Sequence, residues 1–363
     1  MSTIAAAASS YGTLSQVLAD SSLVRSRLDA LTRQAASGMV SDNYAGLGAG
    51  APTALALQPA LAHQQAWQAN IDASSGRMQV AQTALTQISQ IASNFYAQTS
   101  NLNGLNASTV DNVAASARDA LRQVAGLLDS RAGDVYVFAG QDSANPPVPN
   151  PDDIAGTGFV TGITTAIQGL SGAGAAATVA ATLATASSNA AGVSPFSAAL
   201  SQPAAALAGL RPSVQVDDAS FVPTGMLASA NGDVASTGTS TTGSYMRDVM
   251  RALATLGALS GSQASDAGFQ AVVADTRTSL GDSITALNAD AGVMGDRQSA
   301  LVTTRSHLGD VGTALQTQLS GAQDVDMAKT LSSLTQTQTQ LQASYQLISG
   351  LQGLSLVKFL PVG

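Results

Sequence analysis

Apolar residues recur every three or four positions at both ends of this chain, whereas the middle of the chain lacks that rhythm. The N-terminal series is Leu14, Val17, Ser21, Val24, Leu28, Leu31 and Ala35. The C-terminal series is Met327, Leu331, Leu334, Gln338, Leu341, Tyr345 and Ile348. Such spacing puts one narrow apolar face on each helix, which the helix buries only by pairing. The sequence therefore predicts a subunit that assembles.

The large side chains of these two series are the predicted assembly interface. They are Leu14, Val17, Val24, Leu28, Leu31, Leu331, Leu334, Leu341, Tyr345 and Ile348. Two short seams bury little surface in one molecule, but many copies in a tube bury such surface repeatedly. At about 25 cal/mol per Å², a few hundred Å² of apolar contact adds several kcal/mol per subunit before entropy is subtracted.

Composition excludes several classes of function. Only 10% of the 363 residues are charged, against roughly a quarter in typical proteins, and only 4% are aromatic. The net charge is −8, all acidic residues are Asp, and the lysines are Lys329 and Lys358, so no basic patch for nucleic acid is present. The absence of cysteine excludes disulfides and sulfur-ligated metals.

Neither a membrane span nor a secretory leader is predicted. The uncharged stretch 154–210 is rich in Ala, Gly, Ser and Thr and contains Pro195 and Pro203, which suit a spanning helix poorly. Residues 1–8 lack a basic region followed by a long Leu-rich core. We therefore expect an exported protein to leave the cell without a cleaved signal peptide.

The helical pattern divides the chain into two outer parts and a centre. Helices are predicted over residues 12–37 and 59–99 and in a segment capped by Ser108 or Thr109 that carries Val113 to Leu127. They return at residue 245, with a turn at 257–265, and continue to a break near Gly321 that precedes a final helix. Residues 135–139 indicate a strand, and the four prolines at positions 146–151 indicate a domain boundary. Glycine, threonine and valine in residues 152–244 predict a small, mostly β insertion, although residues 173–191 could equally contain a short helix.

The predicted fold class is mainly α: a long antiparallel helical bundle formed by both chain ends, with terminal coiled-coil helices and a central, mostly β insertion domain. Five segments follow from this. They are an N-terminal coiled-coil segment (1–42), two halves of a helical rod domain (43–142 and 246–320), a variable insertion (143–245) and a C-terminal coiled-coil segment (321–363).

Residues that could perform catalysis are few. The two histidines, His63 and His307, have no Cys or Glu nearby and suit solvated helix positions better than a catalytic site. The glycine-rich run at 46–50 lacks the strand and the Lys-Ser or Lys-Thr ending of a phosphate loop. Asp324 and Asp326 fit a helix start better than a cation site, which needs more oxygen ligands. No enzyme activity, cofactor or metal is predicted.

Four segments together resemble the bacterial flagellin family. Residues 31–38 read LTRQAASG and lead into a loop with Asp42 and Ala45-Gly46, and residues 133–140 read GDVYVFAG ahead of Pro146-Pro147. Residues 324–328 read DVDMA, and residues 341–360 end in LSLVKFL. The second and fourth segments are similar to the hook-associated protein 3 branch, which joins the flagellar hook to the filament. The chain departs from the family pattern in having Asp42-Asn43 instead of two aspartates and no Glu in its last helix.

The resemblance implies a layout and a set of partners. The terminal helices would form an inner coiled coil lining a tube, the next helices a rod, and the insertion would project outward. Expected partners are copies of itself, neighbouring hook-associated proteins, flagellin and an export chaperone, with neither nucleic acid nor membrane insertion. The expected location is extracellular, on the bacterial flagellum, after type III export. A filament-forming flagellin is the alternative, and a soluble helical binding or enzymatic module is a third hypothesis.

Overall fold

The computed structural model describes residues 2–102 and 106–353, with side chains over 15–102 and 106–350. The described residues are mainly α-helical, which confirms the predicted class. The helices are α1 (Ser2–Ser37), α2 (Ala51–Thr99), α3 (Ala107–Leu128), α4 (Gly158–Gln168), α5 (Leu170–Ala173), α6 (Ala175–Ser187), α7 (Ala204–Ala208), α8 (Tyr245–Ala258), α9 (Phe269–Gln323) and α10 (Met327–Gly353). The strands form two antiparallel pairs, β1 (Arg131–Ala132) with β2 (Val135–Tyr136) and β3 (Ser213–Gln215) with β4 (Phe221–Pro223).

The chain separates into two compact units. Unit 1 contains the described parts of Met1–Gln65 and Gly309–Gly363, and unit 2 is Ala66–Leu308 without its undescribed residues. In unit 1, α1 packs along α10. A small cluster of Leu47, Ala54 and Leu319 forms a separate apolar core in the same unit, with Val40 packed against it.

Unit 2 is built around α8. Every residue of this helix from Tyr245 to Gly257 is buried, and the helix contacts α3, α4 and α6. Its apolar side chains belong to one continuous core together with residues of α2, α3 and α9. The helix also carries Arg247, Asp248 and Arg251, which are buried as well. Buried charges need partners within the protein, so both the apolar and the charged side of α8 are covered by surrounding elements.

Threonine side chains satisfy their own hydroxyls within these weakly charged helices. Thr86, Thr276 and Thr313, for example, each donate to the carbonyl four residues earlier, at 2.8–2.9 Å. A hydroxyl bonded in this way carries no unpaired donor into the interior. Threonine-rich segments can therefore form long helices here, although threonine favours strands on average.

The central segment differs from the mostly β insertion expected from the sequence. Its described residues contain α4 to α7, and strands are limited to the short β3–β4 pair. Thr178, Thr182 and Ala186 are buried four residues apart, which is a helical period, and the two threonine hydroxyls donate to the carbonyls of Gly174 and Val179. The short helix that the sequence allowed within residues 173–191 is present as α6, whereas the mostly β reading drawn from glycine, threonine and valine content was wrong.

The strand expected over residues 135–139 is only Val135–Tyr136. The chain then leaves the hairpin, and Phe138 enters the core of unit 2 with no exposed surface. Gly140 has φ of 69°, and a Cβ there would lie 2.6 Å from the Leu210 carbonyl oxygen. Positive φ and the close backbone approach together require glycine at this position.

Two helix ends lie at other residues than the sequence predicted. Helix α2 begins at Ala51, so Pro59 lies inside it, and α9 continues past Gly321 to Gln323. A proline removes one helical hydrogen bond, which the packing of a long helix can outweigh. The five segment boundaries proposed from the sequence stay predictions, and residues 143–245 pack into the core of unit 2.

Candidate assembly surface

The predicted face of α1 is half-buried. Val17, Val24, Leu28 and Leu31 are all partly covered, and Ser21, between them on the same face, is 7% exposed. Their spacing alternates between four and three residues, which keeps one line of side chains toward the neighbouring helix α10. The side chain of Leu14, the remaining predicted residue of this series, lies outside the described part.

The predicted face of α10 is divided in two. Its half-buried inner line is Leu334, Leu341 and Ile348. Its outer line is Leu331, Gln338 and Tyr345, of which Leu331 is 48% and Tyr345 42% exposed. The buried positions next to the inner line are Thr330 and Thr337 rather than members of the outer line.

The most deeply buried described side chains of α1 and α10 carry hydroxyl groups. Ser21 on α1 and Thr330 and Thr337 on α10 are buried, and Thr337 donates to the Ser333 carbonyl at 2.7 Å. Such residues bury less apolar surface than leucine would, so the pair gains less free energy from burial. The α1–α10 seam within one chain therefore buries little apolar surface.

Exposed apolar side chains concentrate in unit 1. Among the described residues, eleven large apolar side chains are exposed, and eight of them lie in this smaller unit. The eight are Leu18, Leu23, Tyr44, Leu55, Met327, Leu331, Tyr345 and Leu347. Single exposed apolar residues are ordinary, but a concentration of them marks a surface that another molecule covers.

The candidate catalytic, metal-binding and phosphate-binding residues of the sequence occupy ordinary positions in helices and turns. His63 and His307 lie exposed on α2 and α9. Asp326 accepts a hydrogen bond from the Lys329 N–H at 3.1 Å, at the start of α10, where a carboxylate also favours the helix dipole. The run at 46–50 forms a short 3-10 turn. Within the described part of the chain, no group of three or more His and Asp side chains could hold a metal ion.

Unit 2 contains a buried charged cluster that sequence reasoning missed. Arg251 is 2% exposed and donates to Ser240, Ser279 and Thr182, with Asp275 at 3.3 Å. Its neighbour one helical turn earlier, Arg247, donates to the carbonyls of residues 186, 188 and 229, and burial lowers its pKa. Both guanidinium groups bond to the central segment.

Two buried carboxylates hold the backbone of the same segment. Asp290 accepts hydrogen bonds from the N–H groups of residues 232–234 and from the Tyr245 hydroxyl, and burial next to Asp290 raises the pKa of Tyr245. Asp248 accepts from Thr241 and Thr242, and burial raises its pKa. Since these carboxylates are engaged by the protein's own groups, the cluster is structural. The one available signal was the charged pair at 247–248 inside an apolar helix.

Comparison with known proteins supports one family. Residues 278–360 match the bacterial flagellin C-terminal helical region. The match supports the bacterial flagellin family. It includes the DVDMA segment and the C-terminal ending, whereas the two N-terminal segments with the same resemblance lie outside it. No curated protein matches the chain.

The flagellin match supports a flagellar structural subunit with an extracellular location on the bacterial flagellum. Flagellin family subunits assemble with copies of themselves into polymers, and the family is structural rather than enzymatic. None of the helices within the described residues has the length and hydropathy needed to cross a bilayer.

Proposed function

We propose that this flagellin-type chain is the junction subunit that joins the flagellar hook to the filament. The flagellin match at 278–360 supports a flagellar subunit, and the resemblance of GDVYVFAG and LSLVKFL to the junction branch supports the finer assignment. Its proposed partners are copies of itself, the neighbouring hook-associated proteins, flagellin and an export chaperone.

The proposed assembly interface is the apolar surface of α1 and α10. Six of the eight exposed apolar side chains of unit 1 lie on these two helices and carry this proposal, because the α1–α10 seam inside one chain leaves them exposed. Packing of further copies would remove this surface from water and gain free energy from each contact. The terminal helices would then line the tube.

Deletion of the gene in the source cell tests the junction role. Cells that release flagellin into the medium while carrying bare hooks support it. Normal hooks with normal filaments and wild-type swimming would overturn it. Electron microscopy of the purified chain tests the alternative, because long filaments formed by this protein alone would favour a filament flagellin.

Substitution on the inner line of α10 tests the interface. We expect Leu341→Asp and Ile348→Asp each to abolish incorporation into flagella, because a charge on the half-buried inner line weakens the α1–α10 pair that carries the assembly surface. Thr339→Asp is the matched control, since Thr339 is exposed on the opposite side of the same helix. The measurement is motility of a deletion strain carrying each variant. Restored swimming with Leu341→Asp would show that the interface is elsewhere.

A further inference from the structure

Helix α10 carries two lines of side chains that could each face α1. Every member of the outer line precedes a member of the inner line by three residues: Leu331 before Leu334, Gln338 before Leu341, and Tyr345 before Ile348. At about 100° per residue, three residues bring the two lines about 60° apart around the helix. The sequence of α10 alone therefore does not determine which line is buried.

The contact with α1 selects weakly between the two lines. The seam includes Ser21, Thr330 and Thr337, which fill little space and bury little apolar surface. Register in helix pairs is set most strongly by well-fitted large side chains or by polar groups that need a particular partner. The outer line has one such contact in this chain, since Arg25 donates to the Tyr345 hydroxyl at 2.6 Å.

A pair of backbone hydrogen bonds joins the segment that follows α1 to the segment that precedes α10. The Val40 N–H donates to the Gln323 carbonyl at 2.7 Å, and the Val325 N–H donates to the Gly38 carbonyl at 2.9 Å. Between them, Met39 and Asp324 face each other as an antiparallel bridge. We call residues 38–40 with 323–325 the backbone clamp. It lies directly after α1 and directly before α10.

Hydrogen bonds hold one segment of the backbone clamp to α1 and the other segment to α9. Gly38, at φ of 74°, donates to the Gln34 carbonyl in the last turn of α1, and the Gln34 side chain donates to the Val40 carbonyl at 2.9 Å. The Asp324 N–H donates to the Ser320 carbonyl in the last turn of α9. Val40 also packs on the apolar cluster of Leu47, Ala54 and Leu319. Backbone hydrogen bonds between two fixed segments define where the attached helix lies along its axis and how it is rotated about that axis.

We propose that the backbone clamp, rather than the α1–α10 seam, sets the rotation and register of α10. It thereby buries the inner line against α1 and leaves Leu331 outward, toward a neighbouring copy of the chain, with Tyr345 partly exposed at the edge of the seam beside Arg25. The assignment of the outer line to a neighbouring copy rests on the proposed function. The role of the clamp is a property of one molecule and does not.

Thiol labelling tests the clamp in the full-length chain. Because the protein contains no cysteine, Leu331→Cys and Leu334→Cys each give a single thiol whose reaction rate with a maleimide reports its exposure. We expect the Leu331→Cys variant to react several-fold faster than the Leu334→Cys variant. One alanine inserted between Lys329 and Thr330, inside the first turn of α10, turns the rest of that helix by about 100° relative to the clamp. The difference in rate should then vanish or reverse.

Two outcomes would overturn the proposal. If the rate ratio is unchanged by the insertion, α10 returns to its original rotation and the seam sets the register. If the two variants react equally fast without the insertion, the inner line is not covered in the molecule. An alanine inserted between Asp217 and Asp218, in the β3–β4 turn of unit 2, is the control and should leave the ratio unchanged.

A second variant keeps the test independent of any disturbance by the insertion. Val40→Pro removes the N–H that bonds to Gln323 without changing the chain length. We expect it to reduce the rate ratio, with helix content unchanged by circular dichroism. An unaltered ratio would again assign the register to the seam. The result does not depend on flagellar assembly, so failure of the clamp and failure of the junction role are distinguishable.

Discussion

Replacement of Arg251 by methionine probes the buried cluster that attaches the central segment to α8. The guanidinium donates to the Ser240 carbonyl at 2.9 Å and to the Ser279 hydroxyl at 2.8 Å, and it lies 3.3 Å from Asp275. Methionine retains much of the apolar stem but none of these donors. The Ser240 carbonyl would then lose this donor, and Asp275 would keep only the hydrogen bond from the Ser240 hydroxyl, in a water-poor environment.

The expected loss is about 3 kcal/mol. Breaking a buried ion pair by removing one partner costs about 3–5 kcal/mol, and the low end applies for two reasons. The Asp275 side chain is 20% exposed and keeps the Ser240 hydroxyl as a donor, so its carboxylate stays partly solvated, and Nε of Arg251 already lacks a partner. For a unit of this size, about 3 kcal/mol corresponds to roughly 6–12 °C in Tm.

Urea unfolding followed by tryptophan fluorescence measures this effect. Trp67, the one tryptophan of the chain, packs against the core of unit 2 and therefore reports that unit. Arg277→Met is the matched control, because Arg277 is exposed on α9 and lies over the Tyr96 ring at 4.8 Å, a contact worth about 0.5–1 kcal/mol. If Arg251→Met and Arg277→Met unfold at the same urea concentration, the buried cluster does not stabilise unit 2 and the reasoning is wrong.

Two further substitutions test local features of unit 2. Burial raises the pKa of Asp129 from 3.8 to about 6, while its carboxylate accepts from the Val148 N–H. The contribution of Asp129 to the free energy of unfolding is therefore complete below about pH 4 and is lost as pH rises through about 6. Asp129→Asn should reduce the difference between the urea midpoints measured at pH 4.5 and at pH 7. An unchanged difference would contradict this. Gly140→Ala should cost about 1–3 kcal/mol because of its positive φ and the nearby Leu210 carbonyl, whereas Gly126→Ala, at an open position inside α3, should stabilise slightly; equal melting temperatures for the two would refute the strain argument.

Several elements were predictable because they depend only on local period and local chemistry. The four- and three-residue alternation in α1 selects one face of that helix, and the same positions are half-buried in unit 1. The helical content and the cap at Asp326 likewise follow from spacing and from the preference of carboxylates for helix starts. The interpretation of His63 and His307 as ordinary helix residues needed only the absence of Cys and Glu near them in the sequence.

The centre of the chain was not predictable in the same way. Residues 175–187 have the composition of either a helix or a loop, and their helical form depends on hydroxyls that bond within the helix and on burial in the core of unit 2. For Arg247 and Arg251 the charged pair at 247–248 was the one local signal, and it does not identify their partners, which come from residues 182–240 and 275–279 and which only the folded chain brings to α8.

By itself, the sequence determined that both ends are helices with one apolar face, that the interior is built from small and aliphatic side chains, and that thiol chemistry is absent. Only the tertiary structure decided which line of α10 is buried. The physical reason is the helical period: positions three residues apart differ by about 60°, so Leu331 and Leu334 are nearly equivalent in sequence. The hydrogen bonds at Val40 and Val325, formed by distant parts of the chain, remove that equivalence.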